Sequence, residues 1–277
     1  MNFFKVHSFG NDFIIFEGSH RWSERRLSAV SRRVCSRHTG IGADGCLVTY
    51  YPKSKQADFG VLIANADGSI AKMCGNGLRC LAQYLFQRQL LKKTTFFVET
   101  AAGIVGIELF LKKKQIHTIN LDLRDLHPSP TSTLFEALPP YLRLANQRIY
   151  LTPLMVGVPH LIAWSEICHP ELLATVVCRL NQRRLFPDGI NLSLAKILNR
   201  HTLELLTHER GVGLTMACGT GAVAAAYAAR LVHQFDSPVR VKFPLGEFLV
   251  KIDLASTGSV QLIGPPAKLI CEGTTFV

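Results

Sequence analysis

Two short segments, Met73-Cys74-Gly75-Asn76-Gly77 and Ala217-Cys218-Gly219-Thr220-Gly221, carry the same Cys-Gly-x-Gly pattern. They lie 144 residues apart, the difference between positions 218 and 74, in a chain of 277. The same features follow each one. A helix-like run comes first (Gly77 to Leu91; Ala222 to Val232). A strand-like run, a glycine and a second strand-like run come next. Gly103 stands 29 residues after Cys74, and Gly246 stands 28 after Cys218. That period is far too long for a solenoid, so the pattern predicts an internal duplication: two similar α/β halves. Upstream of the first segment, Ser23 reads as an N-cap for a helix over Glu24 to Arg37. Cys46 to Tyr51 and Phe59 to Ala64 read as strands. Phe96 to Phe110 reads as two strands turning at Ala102-Gly103. Leu203 to Leu206, Val239 to Phe243 and Phe248 to Leu254 are strand-like in the second half. Leu126 to Pro140, rich in Pro, Ser and Thr, reads as a connection.

A cysteine just before a helix has a physical logic. Unpaired N–H groups and the positive end of the helix dipole stabilise a thiolate there, and they also favour a bound carboxylate. The glycines let a ligand approach the backbone. A single such cysteine is more often a buried structural residue. Two equivalent ones, one per half, would flank one ligand from opposite sides if the halves face each other. That arrangement suits inversion at a carbon acid: one group removes a proton and the other returns it to the opposite face. No metal or pyridoxal cofactor is signalled. The cysteines at 35, 46, 80, 168, 178 and 271 lack this context and read as structural.

Other signals bound the compartment and the partners. The chain carries 31 Lys+Arg against 20 Asp+Glu, a formal net charge of +11. The basic residues are scattered in short groups such as Arg25-Arg26 and Lys112-Lys113-Lys114, without interleaved aromatics. No helix-turn-helix, zinc-finger or RNP pattern occurs. They read as solvated faces, with weak steering of an anionic ligand as the remaining use. Met1 to His7 carries no apolar run after a basic start, so no secretory signal is expected; no run is long enough for a membrane span, and no Cys-x-x-Cys pair occurs. The expectation is a cytoplasmic protein with reduced thiols that binds neither nucleic acid nor membrane. Gly40-Ile41-Gly42-Ala43-Asp44-Gly45 matches G-x-G-x-x-G literally. It leaves a helix and enters a strand, the reverse of a dinucleotide fingerprint, and reads as a glycine-rich turn.

With these residues assembled, the chain resembles the diaminopimelate epimerase family over nearly its whole length. The resemblance rests on Phe4-Lys5-Val6-His7-Ser8-Phe9-Gly10-Asn11-Asp12-Phe13, Gly40 to Asp44, Asn65 to Ser69, and Cys74-Gly75-Asn76-Gly77 with Arg79-Cys80. It continues through Thr100 to Gly103, Gly189-Ile190-Asn191, Glu209 to Gly213, and Ala217 to Gly221. It implies an α/β (α+β) fold of two pseudo-symmetric domains. Each would be a mainly antiparallel sheet wrapped around a central helix, with the active site in the cleft between them. The domains would span 1–118 with 266–277, and 119–265. It implies cofactor-independent epimerisation of LL-2,6-diaminoheptanedioate to the meso form, in lysine and peptidoglycan precursor biosynthesis. Cys74 and Cys218 would be the acid–base pair, supported by His160 and Glu209. Asn11, Asn65, Gly75, Asn76, Asn191, Glu209, Arg210, Gly219 and Thr220 would bind the diamino dicarboxylic acid. A homodimer stays open.

The chain departs from the family pattern at three places. Ser8 replaces a glycine, Val158 replaces an asparagine of a G-N-P-H segment, and Leu214 replaces a glutamate. Val158 opens a second expectation, relaxed specificity that admits a shorter α-amino dicarboxylate such as glutamate. A proline-racemase-like enzyme shares the two-thiol logic. The asparagines and Glu209-Arg210 favour a longer polar substrate, and the intact Cys74 and Cys218 argue against a non-catalytic binding protein.

Overall fold

The computed structural model describes residues 1–18, 22–123, 128–129, 136, 138–144, 147–183, 185–186, 189–253 and 259–276. The chain divides into two units, 1–122 with 264–277, and 123–263. Most of the connection expected over Leu126 to Pro140 lies outside the described residues, as does Leu254.

Unit 1 runs β1 (Asn2–Ser8), β2 (Asn11–Phe16), α1 (Glu24–Val34), β3 (Gly45–Tyr50), β4 (Phe59–Asn65), β5 (Ile70–Ala71), α2 (Gly75–Gln87), β6 (Thr95–Thr100), β7 (Gly103–Lys112) and β8 (Gln115–Asp122). Unit 2 runs β9 (Tyr141–Leu144), β10 (Gln147–Val156), β11 (Val158–Trp164), α3 (Pro170–Gln182), β12 (Asn191–Asn199), β13 (Thr202–Glu209), β14 (Gly213–Thr215), α4 (Gly219–His233), β15 (Val239–Phe243), β16 (Gly246–Ile252) and β17 (Val260–Gly264). The last strand, β18 (Lys268–Thr274), returns to unit 1 and pairs antiparallel with β1.

The pairings repeat from unit to unit. β1–β2 and β10–β11 are antiparallel, and β2–β3 and β11–β12 are parallel. β3–β4 and β12–β13 are antiparallel, while β4–β6 and β13–β15 are parallel. The antiparallel hairpins β6–β7 and β15–β16 match too, and turn at Gly103 (φ 126°) and Gly246 (φ 148°). Those dihedrals are costly for any residue with a Cβ, so the repeated glycines are needed by the turns. Each unit is thus a mainly antiparallel sheet with two helices.

Alternation of side chains along the strands gives each sheet two buried faces. In unit 1, Ile14, Phe16, Cys46, Val48 and Leu62 pack on α1 through Leu27 and Val34. In unit 2, Leu161, Leu192, Leu194 and Leu206 pack on α3 through Leu173, Val176 and Leu180. The opposite face covers α2 or α4. Helix α4 is alanine-rich and buried along most of its length, as a central helix must be. α2 buries Arg79 completely; its Nη1 donates to the carbonyls of Ile119 (2.9 Å) and Pro265 (3.4 Å). Burial lowers the Arg79 pKa to about 9, so it stays charged at neutral pH.

Several elements differ from the sequence expectation. α1 ends at Val34 rather than Arg37, because the chain folds back and Gly42 N–H donates to Val34 O (2.9 Å). α2 starts at Gly75, two residues early, because Cys74 itself caps it. α4 likewise starts at Gly219, three residues earlier than expected. Of the six other cysteines, Cys35, Cys46 and Cys80 are buried, Cys168 is half-buried, and Cys178 and Cys271 are exposed.

Candidate functional site

In unit 1 the end of β4 and the start of α2 define the first half-site. Cys74 is the N-cap of α2, with extended backbone (φ −144°, ψ 115°), and its Sγ accepts from Gly77 N–H at 3.4 Å. A sulfur here takes the role usually filled by a Ser, Asp or Asn oxygen, so the thiol sits on the helix's unpaired donors. Asn76, the second residue of the helix, is buried, and its Nδ2 donates to Asn11 Oδ1 (3.4 Å). Asn11 opens β2, and its Nδ2 donates to Asp44 Oδ2 (3.0 Å). Asn65 closes β4; its Nδ2 donates to Ser69 Oγ (2.9 Å), whose hydroxyl donates to Asp67 Oδ1 (2.6 Å). Those Ser69 bonds hold the Asp67 carboxyl below its ordinary range. Side-chain alternation places Asn11 and Asn65 on the sheet face that covers α2, since Ile14, Phe16, Leu62 and Ala64 face α1. Unit 1 therefore gathers Asn11, Asn65, Cys74, Gly75 and Asn76.

Beneath this cluster lies an ion network. Asp12 accepts from Lys5 Nζ (3.1 Å) and Arg37 Nη2 (3.1 Å), and the same guanidinium reaches Asp44 Oδ1 (2.7 Å). Burial opposes ionisation of Asp12, but Lys5 and Arg37 outweigh it and hold the carboxyl below the usual range.

Unit 2 repeats the cap. Cys218 is the N-cap of α4 (φ −123°, ψ 117°), and its Sγ accepts from Gly221 N–H at 3.3 Å. Thr220 Oγ1 lies 3.4 Å from the same sulfur. A Cβ on Gly221 would come within 3.2 Å of Cys218 Cβ and 3.3 Å of Ser193 Oγ, so glycine is what lets the thiol seat there. Glu209 closes β13; its Oε1 accepts from Thr215 Oγ1 (2.8 Å), and its carboxyl is hydrogen-bonded to the Cys218 thiol. Burial raises the Glu209 pKa, partly offset by these bonds. Burial, and then the charge of Glu209, push the Cys218 thiol well above its ordinary value. Cys218, only 3% exposed, is thus a thiol at neutral pH, donating to Glu209.

The remaining residues of this half separate by strand face. His160 on β11 pairs in parallel register with Asn191 on β12, and both share the α4 face with Glu209. His160 is 0% exposed, and neither ring nitrogen has a hydrogen-bond partner among the described residues. Burial lowers its pKa to about 3, so it is a neutral imidazole under working conditions. The Arg210 N–H donates to Asn191 Oδ1 (2.9 Å). The Arg210 side chain, with His208, lies on the other face. It lines a cavity of about 290 Å³ together with Asn181, Gly189 and Leu192, away from the sulfur of Cys218. Unit 2 gathers His160, Asn191, Glu209, Cys218, Gly219 and Thr220, and sets the Arg210 side chain apart.

Sequence reasoning named no role for Asp44, Ser69, Asp67 or Thr215. A signal for Asp44 existed, since it ends the Gly40 to Asp44 motif.

The chain compares closely with known proteins. The family profile described as Diaminopimelate epimerase matches residues 3–122 and 152–269. A Diaminopimelate epimerase of Clostridium perfringens is 36% identical over 280 residues, covering 99% of each chain. That of Bacillus subtilis is 31% identical over 288 residues, covering 99% of this chain and 98% of its own. Among solved structures, a hydroxyproline epimerase from Agrobacterium vitis with bound trans-4-OH-L-proline superposes with a TM-score of 0.74 at 15% identity, covering 99% of this chain and 90% of that one. A methylitaconate-delta-isomerase superposes at 0.68 and 14%, covering 99% and 95%. At such identities the structures show a shared fold.

Proposed function

Because the chain belongs to the diaminopimelate epimerase family and is an isomerase of amino-acid stereocentres, we propose that it interconverts LL- and meso-2,6-diaminoheptanedioate through two cysteines. The observation that carries this reading is the matched pair of caps. Cys74 and Cys218 each precede a central helix, and each sulfur accepts the N–H of the glycine three residues on. One sulfur, as thiolate, takes the α-proton, and the electron pair spreads into the adjacent carboxylate. The other, as thiol, delivers its proton to the opposite face of the same carbon. The first is left as thiol and the second as thiolate, and the reverse reaction restores them. Helix N-termini favour the thiolate and the substrate carboxylate alike, so no step calls for a cofactor. Asn11, Asn65, Asn76, Asn191 and Thr220 supply polar contacts, Glu209 suits an ammonium, and Arg210 contributes through its backbone N–H, which holds the Asn191 amide. His160 and Glu209 support the thiols, His160 as a neutral group and Glu209 by accepting a hydrogen bond from the Cys218 thiol, whose proton passes to the substrate carbon.

The product would feed lysine and peptidoglycan precursor synthesis in the cytoplasm, where thiols stay reduced. Among the described residues no helix is long and apolar enough to cross a membrane. A homodimer fits the edge strand β18, exposed throughout with Leu269 and Ile270 at its surface. Antiparallel pairing of two copies about Ile270 would set Lys268 against Glu272 of the other.

The direct test follows the circular-dichroism change on incubating the protein with LL-2,6-diaminoheptanedioate. The expected result is approach to the LL/meso equilibrium by the wild-type protein alone. Absence of turnover with reduced protein would overturn the reading. A second reading, relaxed specificity toward glutamate, is favoured by Val158 at the start of β11. Wash-in of α-deuterium to L-glutamate at a rate near that of diaminopimelate would support it, and none would eliminate it.

A further inference from the structure

The glycine-rich turn Gly40 to Gly45 has no part in the two-thiol chemistry, yet its glycines are sterically demanded. A Cβ on Gly40 would sit 2.4 Å from Arg33 O, and one on Gly45 would sit 2.6 Å from Ala64 O and 2.9 Å from the Phe13 ring. Gly42 has φ +78°. These close approaches press the turn against the end of α1 and against β2 and β4. The residue delivered by that packing is Asp44.

Asp44 is fully engaged. Oδ1 accepts from Arg37 Nη2 at 2.7 Å. Oδ2 accepts from Asp12 N–H at 3.1 Å and from Asn11 Nδ2 at 3.0 Å. Its N–H donates to Asp12 Oδ1 (3.0 Å), and its carbonyl accepts from Ala66 N–H (2.9 Å), beside Asn65. A carboxylate clamped by a guanidinium only accepts hydrogen bonds. The group of Asn11 that faces Asp44 must then be its NH₂, and this chemistry fixes the amide orientation. The Asn11 oxygen is turned the other way, to Asn76 Nδ2 at 3.4 Å, with a second lone pair to spare.

We propose that Asp44 is a positioning residue, which orients the Asn11 amide so that its oxygen reads a substrate ammonium. The inference rests on the proposed role of Asn11 in substrate binding. The turn that mimics a dinucleotide motif thereby acquires a task in selecting amino groups. In Asp44→Asn the oxygen stays with Arg37, because a guanidinium tolerates no donor, and the new NH₂ meets Asn11 Nδ2 and the Asp12 N–H, which loses its acceptor. Two donors cannot bond, so Asn11 turns its oxygen inward and loses the ammonium.

The test is a cycle of Asp44→Asn, Asn11→Ala and the double variant, with KM and kcat for LL-2,6-diaminoheptanedioate. We expect Asp44→Asn to raise KM about tenfold or more with kcat changed less than about threefold, the loss of one charge-assisted contact. The double variant should be no worse than Asn11→Ala. Effects that multiply, or an unchanged KM in Asp44→Asn, would overturn the proposal. Asn11→Asp tests it without touching Asp44. With two carboxylates opposed, KM should rise above that of Asn11→Ala; a KM at or below wild type would overturn the proposal, and this variant decides alone if Asp44→Asn fails to fold. In ligand-free protein, NMR should show Asn11 side-chain amide protons exchanging with water about tenfold faster in Asp44→Asn. That readout separates failure of the positioning role from failure of the epimerase reading, which wild-type turnover alone decides.

Discussion

The two half-sites share a backbone and differ in chemistry. Cys74 and Cys218 hold the same cap position and receive the same glycine N–H. β4 and β13 end 144 residues apart, but on Asn65 in one unit and on Glu209 in the other. β2 of unit 1 opens with Asn11, and its counterpart β11 of unit 2 with Val158. The parallel pairs Phe13↔Gly45 and His160↔Asn191 are likewise equivalent, which makes Ile190 the counterpart of Asp44. Unit 1 thus surrounds its thiol with amides that acidic residues anchor. Unit 2 sets a buried carboxylate against its thiol and carries a neutral imidazole on the same sheet face. A repeated scaffold has kept the cap geometry and let the surroundings of the two sulfurs diverge.

The largest effect should come from the sulfurs. Cys74→Ala and Cys218→Ala should each lower kcat for epimerisation by about 10³-fold or more, the scale of a lost acid–base group. A variant retaining full rate would make the halves unequal in kind. Next comes Glu209→Gln, with an expected loss of about 10²-fold. Since the Glu209 pKa is raised by burial, the acidic limb of wild-type kcat should lie above the ordinary carboxylate range. Activity should fall as pH drops through it, and that limb should vanish in the variant. A pH profile that keeps the limb would remove Glu209 from the role.

A smaller effect concerns the support under unit 1. The folded pKa of Asp12 is depressed by Lys5 and Arg37 against burial. Its contribution is therefore present above the unfolded carboxylate value and is lost as pH falls through the folded one. Asp12→Asn should cost about 2 kcal/mol near neutral pH, and less in acid, by urea unfolding. Smallest is Val158→Asn, which makes unit 2 resemble unit 1. It should lower KM for diaminopimelate by about threefold to tenfold, the worth of one hydrogen bond, and leave kcat alone. An unchanged KM would mean that Val158 does not face the ligand.

Much of this was readable beforehand because backbone chemistry announces itself. A cysteine ahead of Gly-x-Gly and an apolar run located both caps, and the repeat predicted two similar halves. Helix α3 escaped notice although Pro170 at its first turn is a helix-start signal, since the cysteine and histidine before it offered no side-chain cap. β2 ends in an apolar run without alternation, which local pattern does not assign to a strand, and β1 and β12 mix polar and apolar residues too irregularly for a period-2 reading. The opposite faces of Glu209 and Arg210 follow from the strand period, but only once β13 is known to extend to Glu209. Asp44's role depended on long-range pairing of β2 with β3, which no local pattern carries.

The central claim is that two groups, one on each side, move the proton. It is tested most directly by single-turnover epimerisation of LL-2,6-diaminoheptanedioate in D₂O, with the isotope at the inverted α-carbon read by mass spectrometry. Two thiols predict that almost every inverted carbon carries solvent deuterium from the first turnover, because the delivered proton never belonged to the substrate. Inverted product retaining the original protium would show one group acting on both faces, and would contradict the account.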